Sequence, residues 1–305
     1  MQLYAQQLIL GLATGCVYAL IAIGYTMVYG VLRLINFAHG DILMVGAYVA
    51  YFVILQWHLP MELALPVAMV ACAVLGATIE RLAYRPLRNH PRLTLLITAI
   101  GVSLFLEYGG QLFLGPDPKA FPVEQAGGPV TAAFARVSDW ISNASGIILP
   151  DYALLIMVAS VALMIGLHAL VMRSKIGLAM RAVSYDQRTA ALMGVNIDRV
   201  ILTTFLIGSS LAGAGGVMLA AYEPSITPLM GLLPGLKAFT AAVLGGIGNI
   251  PGAMLGGLVM GVAESFVSGS AALSAWRDAV AFFILILILL VKPTGLTGRG
   301  AVEKV

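Results

Sequence analysis

Reactive side chains are sparse in this chain. His39, His58, His90 and His168 are its only histidines, and no two of them stand at metal-ligand spacing. There is no G-x-S-x-G, no Walker glycine-lysine loop and no H-E-x-x-H. The expectation is therefore no catalytic residue and no metal site, and any ATP must be bound by another subunit. What remains is a set of polar groups isolated in oily sequence. Asn36, His39 and Asp41 follow the first apolar run, Glu107 and Glu264 lie at or near run ends, and Asn249 sits in a glycine-rich break. A charge or amide inside a membrane segment is costly, so each is a candidate for lining a transport path. A competing reading is that they satisfy broken backbone or bridge helices, and that Glu107 snorkels to water. Tyr18, Tyr25 and Tyr29 form a stripe that suits either an apolar passage or packing.

The second candidate is a polar island, residues 173–199, between two long apolar runs. Within it, Ser184 to Asn196 reads as a short amphipathic helix. Asp186 stands at its start, where a carboxylate complements the helix dipole, and Gly194 follows as a C-cap. Ala190, Leu192, Met193 and Val195 offer an apolar patch flanked by Tyr185, Arg188, Ala191 and Asn196. A short helix held between two spans can slot into a groove on a soluble partner. It can equally lie on lipid headgroups.

Composition fixes the setting. Of 305 residues, 60% are hydrophobic and 10% charged, against about 25% charged in a soluble domain. Such a chain lacks the polar coat of a soluble globule. The runs are apolar on every face, which excludes strands of alternating polarity and gives an all-α, polytopic transmembrane helical bundle in one domain, 1–305. Its 34 glycines suit close helix packing in lipid. Cys16 and Cys72 both fall inside apolar runs and read as core residues. The first run is about 30 residues with no basic flank before it, so it reads as a span rather than a cleaved signal.

Charge-free runs mark the spans: Met1–Leu32, Ile42–Met61, Leu63–Ile79, Leu93–Leu106, Tyr152–Met172, Val200–Tyr222, Ala238–Ala263 and Ala279–Val291. Arg33, then Arg81, Arg85, Arg88 and Arg92, then Arg173, Lys175, Arg181, Arg188 and Arg199, then Lys292, Arg299 and Lys304 follow alternate runs. By the positive-inside rule they face the cytoplasm, with the C-terminus, and residues 115–151 face outward as a loop with a short surface helix near Trp140. Positive charge that follows topology gives no reason to expect nucleic acid. Alternation requires the seventh run to enter and return. Gly245-Gly246-Ile247-Gly248-Asn249-Ile250-Pro251-Gly252 in its middle breaks a helix. Two half-helices meeting at membrane depth, or two short spans joined by a plain cytoplasmic turn, both fit. Eight or nine crossings result, and the side of the N-terminus stays open.

The Ala190-Ala191 pair followed, after Leu192 and Met193, by Gly194 resembles the coupling helix of ABC-importer permeases. Ala19 to Gly30 with Ile35 to Asp41, Ala83 to Arg88, Lys237 to Gly248 and Lys292 to Leu296 together resemble the LivH type of branched-chain amino acid permease. The resemblance spans nearly the whole chain apart from residues 115–151. It implies an inner-membrane subunit of an importer for branched-chain amino acids, paired with a second, homologous permease. Two cytoplasmic ATPases, holding ATP and magnesium, would dock on the coupling helices at Tyr185, Asp186, Arg188, Ala190, Ala191, Leu192, Met193, Gly194, Val195 and Asn196. A periplasmic binding protein would deliver cargo to a path near Tyr25, Asn36, His39, Asp41 and Asn249. The same machinery with another cargo (urea, an aromatic or a short-chain acid) is one alternative. An ATP-independent, ion-coupled carrier is another, against which the docking loop argues.

Overall fold

The computed structural model describes residues 2–88, 90–150, 152–270 and 273–298. Met1, Asp151, the tail residues Arg299 and Lys304, and the side chain of Arg92 lie outside the described residues. The chain is a helical bundle: α1 (Gln2–Leu32), α2 (His39–Trp57), α3 (Met61–Ile79, running on as a π turn through Tyr84), α4 (Arg92–Leu114), α5 (Pro129–Ser145), α6 (Ala153–Arg173), α7 (Lys175–Tyr185), α8 (Gln187–Leu192), α9 (Ile197–Tyr222), α10 (Leu232–Gly245), α11 (Ile250–Ser268) and α12 (Arg277–Val291). Among the described residues eight helices are long and apolar enough to cross a membrane, α12 when counted with the turn that leads into it from Ser274, and α10 is a shorter apolar ninth. The only strands among the described residues, β1 (Lys119–Ala120) and β2 (Ser225–Ile226), pair antiparallel.

A helix apolar all round belongs in the interior, and α1 and α9 occupy it. Helix α1 packs along α11, α9, α10 and α6, while α9 packs along α3 and α2. The α1–α11 seam is tight because both helices present glycine. A Cβ on Gly11 would lie 2.7 Å from the Val262 Cα, and one on Gly15 2.9 Å from the Leu258 Cα. Without a hydrophobic force between helices in lipid, such backbone approach supplies the packing. Cys16 and Cys72 are free and buried.

The bundle has two chemically different ends. At one, Arg33 reaches toward the Ser184 and Tyr185 carbonyls, Arg85 and Arg88 pair with Asp198, and Asn249 bonds Thr297 of the tail. At the other lie the β1–β2 pair, α5, and the Arg277–Glu223 ion pair. There the Lys119 ammonium stands 5.8 to 5.9 Å from the rings of Tyr48, Tyr51 and Phe52. Glu62 of α3 caps α5 by accepting from the Val130 and Thr131 amides. All of the chain's tryptophans, Trp57, Trp140 and Trp276, are exposed at this second end.

Several expectations shift. The seventh run is two antiparallel helices of unequal length. α10 spans about 21 Å at 1.5 Å per residue, short of the roughly 30 Å hydrocarbon core, whereas α11 is a full span. The break between them lies at the basic end, not midway through the membrane. Gly246 (φ +100°) and Gly248 (φ +95°) make the turn, and the tail closes over it through Leu296 N to Leu244 O at 2.8 Å. Alternation through α10 carries the start of α1 to the end opposite the basic one, and Gln7 accepts from Ser265 there. Helix α4 runs eight residues past Leu106, which leaves Glu107 buried inside the helix rather than snorkelling at its end.

Candidate functional site

The polar island folds as a tightly capped pair of helices rather than one. The Ser174 Oγ accepts from the Gly177 amide at 2.9 Å to start α7. Asp186 starts α8, its Oδ1 accepting from Arg188 N at 2.8 Å and Thr189 N at 3.2 Å. Gly194 (φ +85°) ends it, with Val195 N donating to Ala190 O at 3.0 Å. Asn196 caps the next helix, accepting from Arg199 N at 3.0 Å. The expected single helix from Ser184 to Asn196 is thus corrected at both ends. Tyr185 closes α7, and Asn196 opens α9, because each strong capping side chain terminates one element and begins another. Ala190 is buried against the bundle, so it is not part of the outward patch. Leu192 is 87% exposed and Met193 81%, with Tyr185, Arg188 and Ala191 exposed beside them.

This element is tied to the central helix. Gln187 Nε2 donates to the Val31 carbonyl at 2.8 Å, one residue before α1 ends. Nearby, Asp198 in the first turn of α9 takes Arg85 at 2.5 Å and Arg88 at 2.6 Å. Arg88 also pairs with buried Glu80 at 2.7 Å. Asp198 holds the Arg85 guanidinium above its ordinary pKa, by hydrogen bond first and charge second. The tail of α3 and the start of α9 therefore share one polar network.

Beside the α7–α8 pair a cleft opens at the basic end. One lobe, 730 Å³, is lined by Thr26, Gly30, Arg33, Arg181, Ser184 and Asp186, among others. A second, 880 Å³, shares Arg181, Gly248 and Ile250 with it and reaches Phe239, Asn249 and Pro293. Next to the second lobe, Tyr25, Tyr29, Ile35 and Phe239 enclose a separate space of only 10 Å³. Of the residues expected on a path, Asn249 lines the second lobe and Tyr25 only the small separate space; Tyr29 lines both.

Asn36, His39 and Asp41 do not. They are buried inside the bundle and line none of the cavities just described. Asn36 Oδ1 accepts from the Tyr84 hydroxyl at 2.7 Å. The His39 ring stands 4.5 Å from that of Tyr25 and packs on Gly24. Asp41 accepts from Ser103 at 2.5 Å, with Glu107 against it. They fasten the α1–α2 break to α3, α1 and α4, the bridging role that was the competing reading. Helix α2 and helix α10 both begin here, at a Gly40–Gly231 backbone contact.

Sequence reasoning missed an ionic cluster at the opposite end, buried at Lys237 and Glu264 and open to solvent at Asp278 and Glu223. Lys237 of α10 pairs with Glu264 of α11 at 2.8 Å and with Asp278 of α12 at 2.6 Å. Arg277 pairs with Glu264 and, at 2.9 Å, with Glu223. Tyr18 stacks beneath the Lys237 ammonium at 5.9 Å, so it packs there rather than bordering the cleft. A lone lysine preceding an apolar run, 27 residues from a lone glutamate, was the available signal.

A bundle of alternating apolar spans, with a cleft at one end and an exposed capped helix beside it, is the architecture of a membrane transport permease. The chain belongs to the family described as branched-chain amino acid transport system / permease component, whose model matches residues 7–289. It is 44% identical to the high-affinity branched-chain amino acid transport system permease protein BraD of Pseudomonas aeruginosa, covering 99% of this chain and 98% of that protein. It is 43% identical, over the same shares, to the corresponding LivH protein of Escherichia coli K12. A probable branched-chain amino acid transport permease protein LivH of Methanocaldococcus jannaschii is 29% identical over 92% of this chain and 88% of its own.

Proposed function

We propose that this chain is a permease subunit of an ATP-driven importer for branched-chain amino acids, in the bacterial inner membrane. Its basic end, with the docking pair (within residues 173–199) and the C-terminus, faces the cytoplasm, and residues 115–151 face the periplasm. The N-terminus is then periplasmic. ATP and magnesium are held by two cytoplasmic ATPases, one on this chain's docking helix and one on a second, homologous permease. A periplasmic binding protein delivers the cargo.

The observation that carries this reading is the exposed Leu192–Met193 tip of α8, held rigidly by caps and tied through Gln187 to the end of α1. Two large apolar side chains in water on a capped helix suit a groove on a soluble partner. The tie to α1 gives closure of that partner a route into the bundle core and the adjacent cleft. Buried carboxylates would also suit an ion-coupled carrier, but a carrier has no use for the docking pair. Ala191→Glu and Gly194→Asp test the assignment. Both variants are expected to insert normally and to lose ATPase binding and transport. Unchanged transport in both removes the docking role.

A further inference from the structure

The cations of the basic end are unevenly matched. Arg85 and Arg88 pair with Asp198 and Glu80. Arg33, Arg173, Lys175 and Arg181 pair with no carboxylate among the described residues, and all four are exposed. Arg173 ends α6 and Lys175 opens α7. Arg181 folds back toward that corner, its Nη1 donating to the Met172 carbonyl at 3.1 Å. Arg33 and Arg181 both line the 730 Å³ lobe of the cleft. Among the described residues Asp186 is the one carboxylate lining either lobe, and it is occupied in capping α8. The lining of the first lobe is therefore net positive.

The second lobe, 880 Å³, is walled by apolar side chains of two spans. Met172 of α6 and Leu289 of α12 are nearly half exposed at its edge, and Leu285 lies further in. Outward side chains elsewhere on these spans are apolar, as at Val161 and Ile165 of α6 and Ile286 and Leu290 of α12. The lobe thus borders the hydrocarbon. Ile176 and Leu178, exposed just past the corner, stand among the cations, a pattern that suits the headgroup boundary.

We infer that this cleft holds one anionic phospholipid of the cytoplasmic leaflet, with its phosphate between Arg33 and Arg181 and an acyl chain between α6 and α12. Basic pockets between spans on the cytoplasmic side suit such head groups, and an arginine fork matches phosphate oxygens. Each lobe lies within the roughly 300–1,000 Å³ of drug-sized ligands, more than a bare phosphate ion fills. A phosphate joining Arg33, just past α1, to Arg181 of α7 fastens the same joint as the bond from Gln187 to the Val31 carbonyl. Only the naming of the leaflet rests on the topology proposed above.

The test places the full chain in phosphatidylcholine nanodiscs, alone and assembled with its partner subunits. A trace of phosphatidylglycerol carrying a diazirine on its acyl chain is irradiated, and adducts are mapped. Label is expected to concentrate near Met172 on α6 and near Leu285 and Leu289 on α12. Excess unlabelled phosphatidylglycerol should remove it, and excess phosphatidylcholine or inorganic phosphate should not. Arg33→Gln with Arg181→Gln should weaken labelling there roughly thirtyfold and leave label on the outer face of α4 unchanged. If that variant does not fold, competition on the wild-type chain decides alone. Equal competition by phosphatidylcholine, or label spread evenly over α4, α6 and α12, identifies ordinary surrounding lipid and overturns the site. Competition by inorganic phosphate overturns it as a lipid site. Label lost when the partner subunits assemble shows that protein covers the groove, and overturns it as well. Leucine uptake enters none of these outcomes, so failure of the import reading would be seen separately.

Discussion

Truncating both side chains at the tip of α8, Leu192→Ala with Met193→Ala, separates docking from folding. Neither side chain packs on its own subunit, since they are 87% and 81% exposed. The folded permease should therefore lose almost nothing, within the roughly 0.5 kcal/mol typical of surface substitutions. If an ATPase groove buries them, each contributes about 1.5–3 kcal/mol of apolar burial. Taking the lower figure for both, to allow for the retained Cβ atoms, the docking contact weakens by about 3 kcal/mol. At 1.4 kcal/mol per tenfold, that is roughly a hundredfold in affinity. The assay is titration of the purified ATPase onto permease held in nanodiscs, alongside thermal unfolding of the permease alone. Expected are a large loss of ATPase affinity and an unchanged unfolding midpoint. Unchanged affinity refutes the docking argument. A lowered midpoint shows instead that the tip packs within the subunit.

Three further outcomes follow from the packing and the interface. Gly257→Val drives a side chain into the backbone of Ala19 across the α1–α11 seam. It should cost at least the roughly 1–3 kcal/mol of core overpacking, read as reduced thermal stability in detergent. Gly101→Ala on exposed α4 meets nothing within 4 Å and should not lower stability, glycine in a helix interior costing roughly 0.5–1 kcal/mol relative to alanine. In a Trp57→Phe, Trp276→Phe background, Trp140 fluorescence should be quenched by lipids brominated near the headgroup, as an interfacial aromatic belt requires. Absence of quenching would place α5 away from the bilayer surface.

Much of the bundle was legible because its signals are local. A charge-free run fixes a span whatever it packs against, and α1 matches its run to within a residue. Asp186 and Gly194 announced the ends of α8 because capping acts within one turn. The glycines and proline at residues 245–252 announced the α10–α11 break, though not its depth, which depends on where the tail folds back. What stayed hidden is non-local. Asn36, His39 and Asp41 have the right chemistry for a path, yet their partners Tyr84 and Ser103 lie 48 and 62 residues away and draw them into the interior. Lys237 and Glu264 meet only once α10 and α11 run antiparallel, and Arg277 and Asp278 join only through α12.

The central claim is that this chain moves its cargo by motion received from partner ATPases at α8. Uptake of radiolabelled leucine into proteoliposomes tests it most directly, with the complex complete, with the ATPases omitted, and with this chain alone under an imposed ion gradient. Uptake is expected only when ATPases, hydrolysable ATP and binding protein are all present. Leucine moved by the chain alone, down an ion gradient and without ATP, would contradict it.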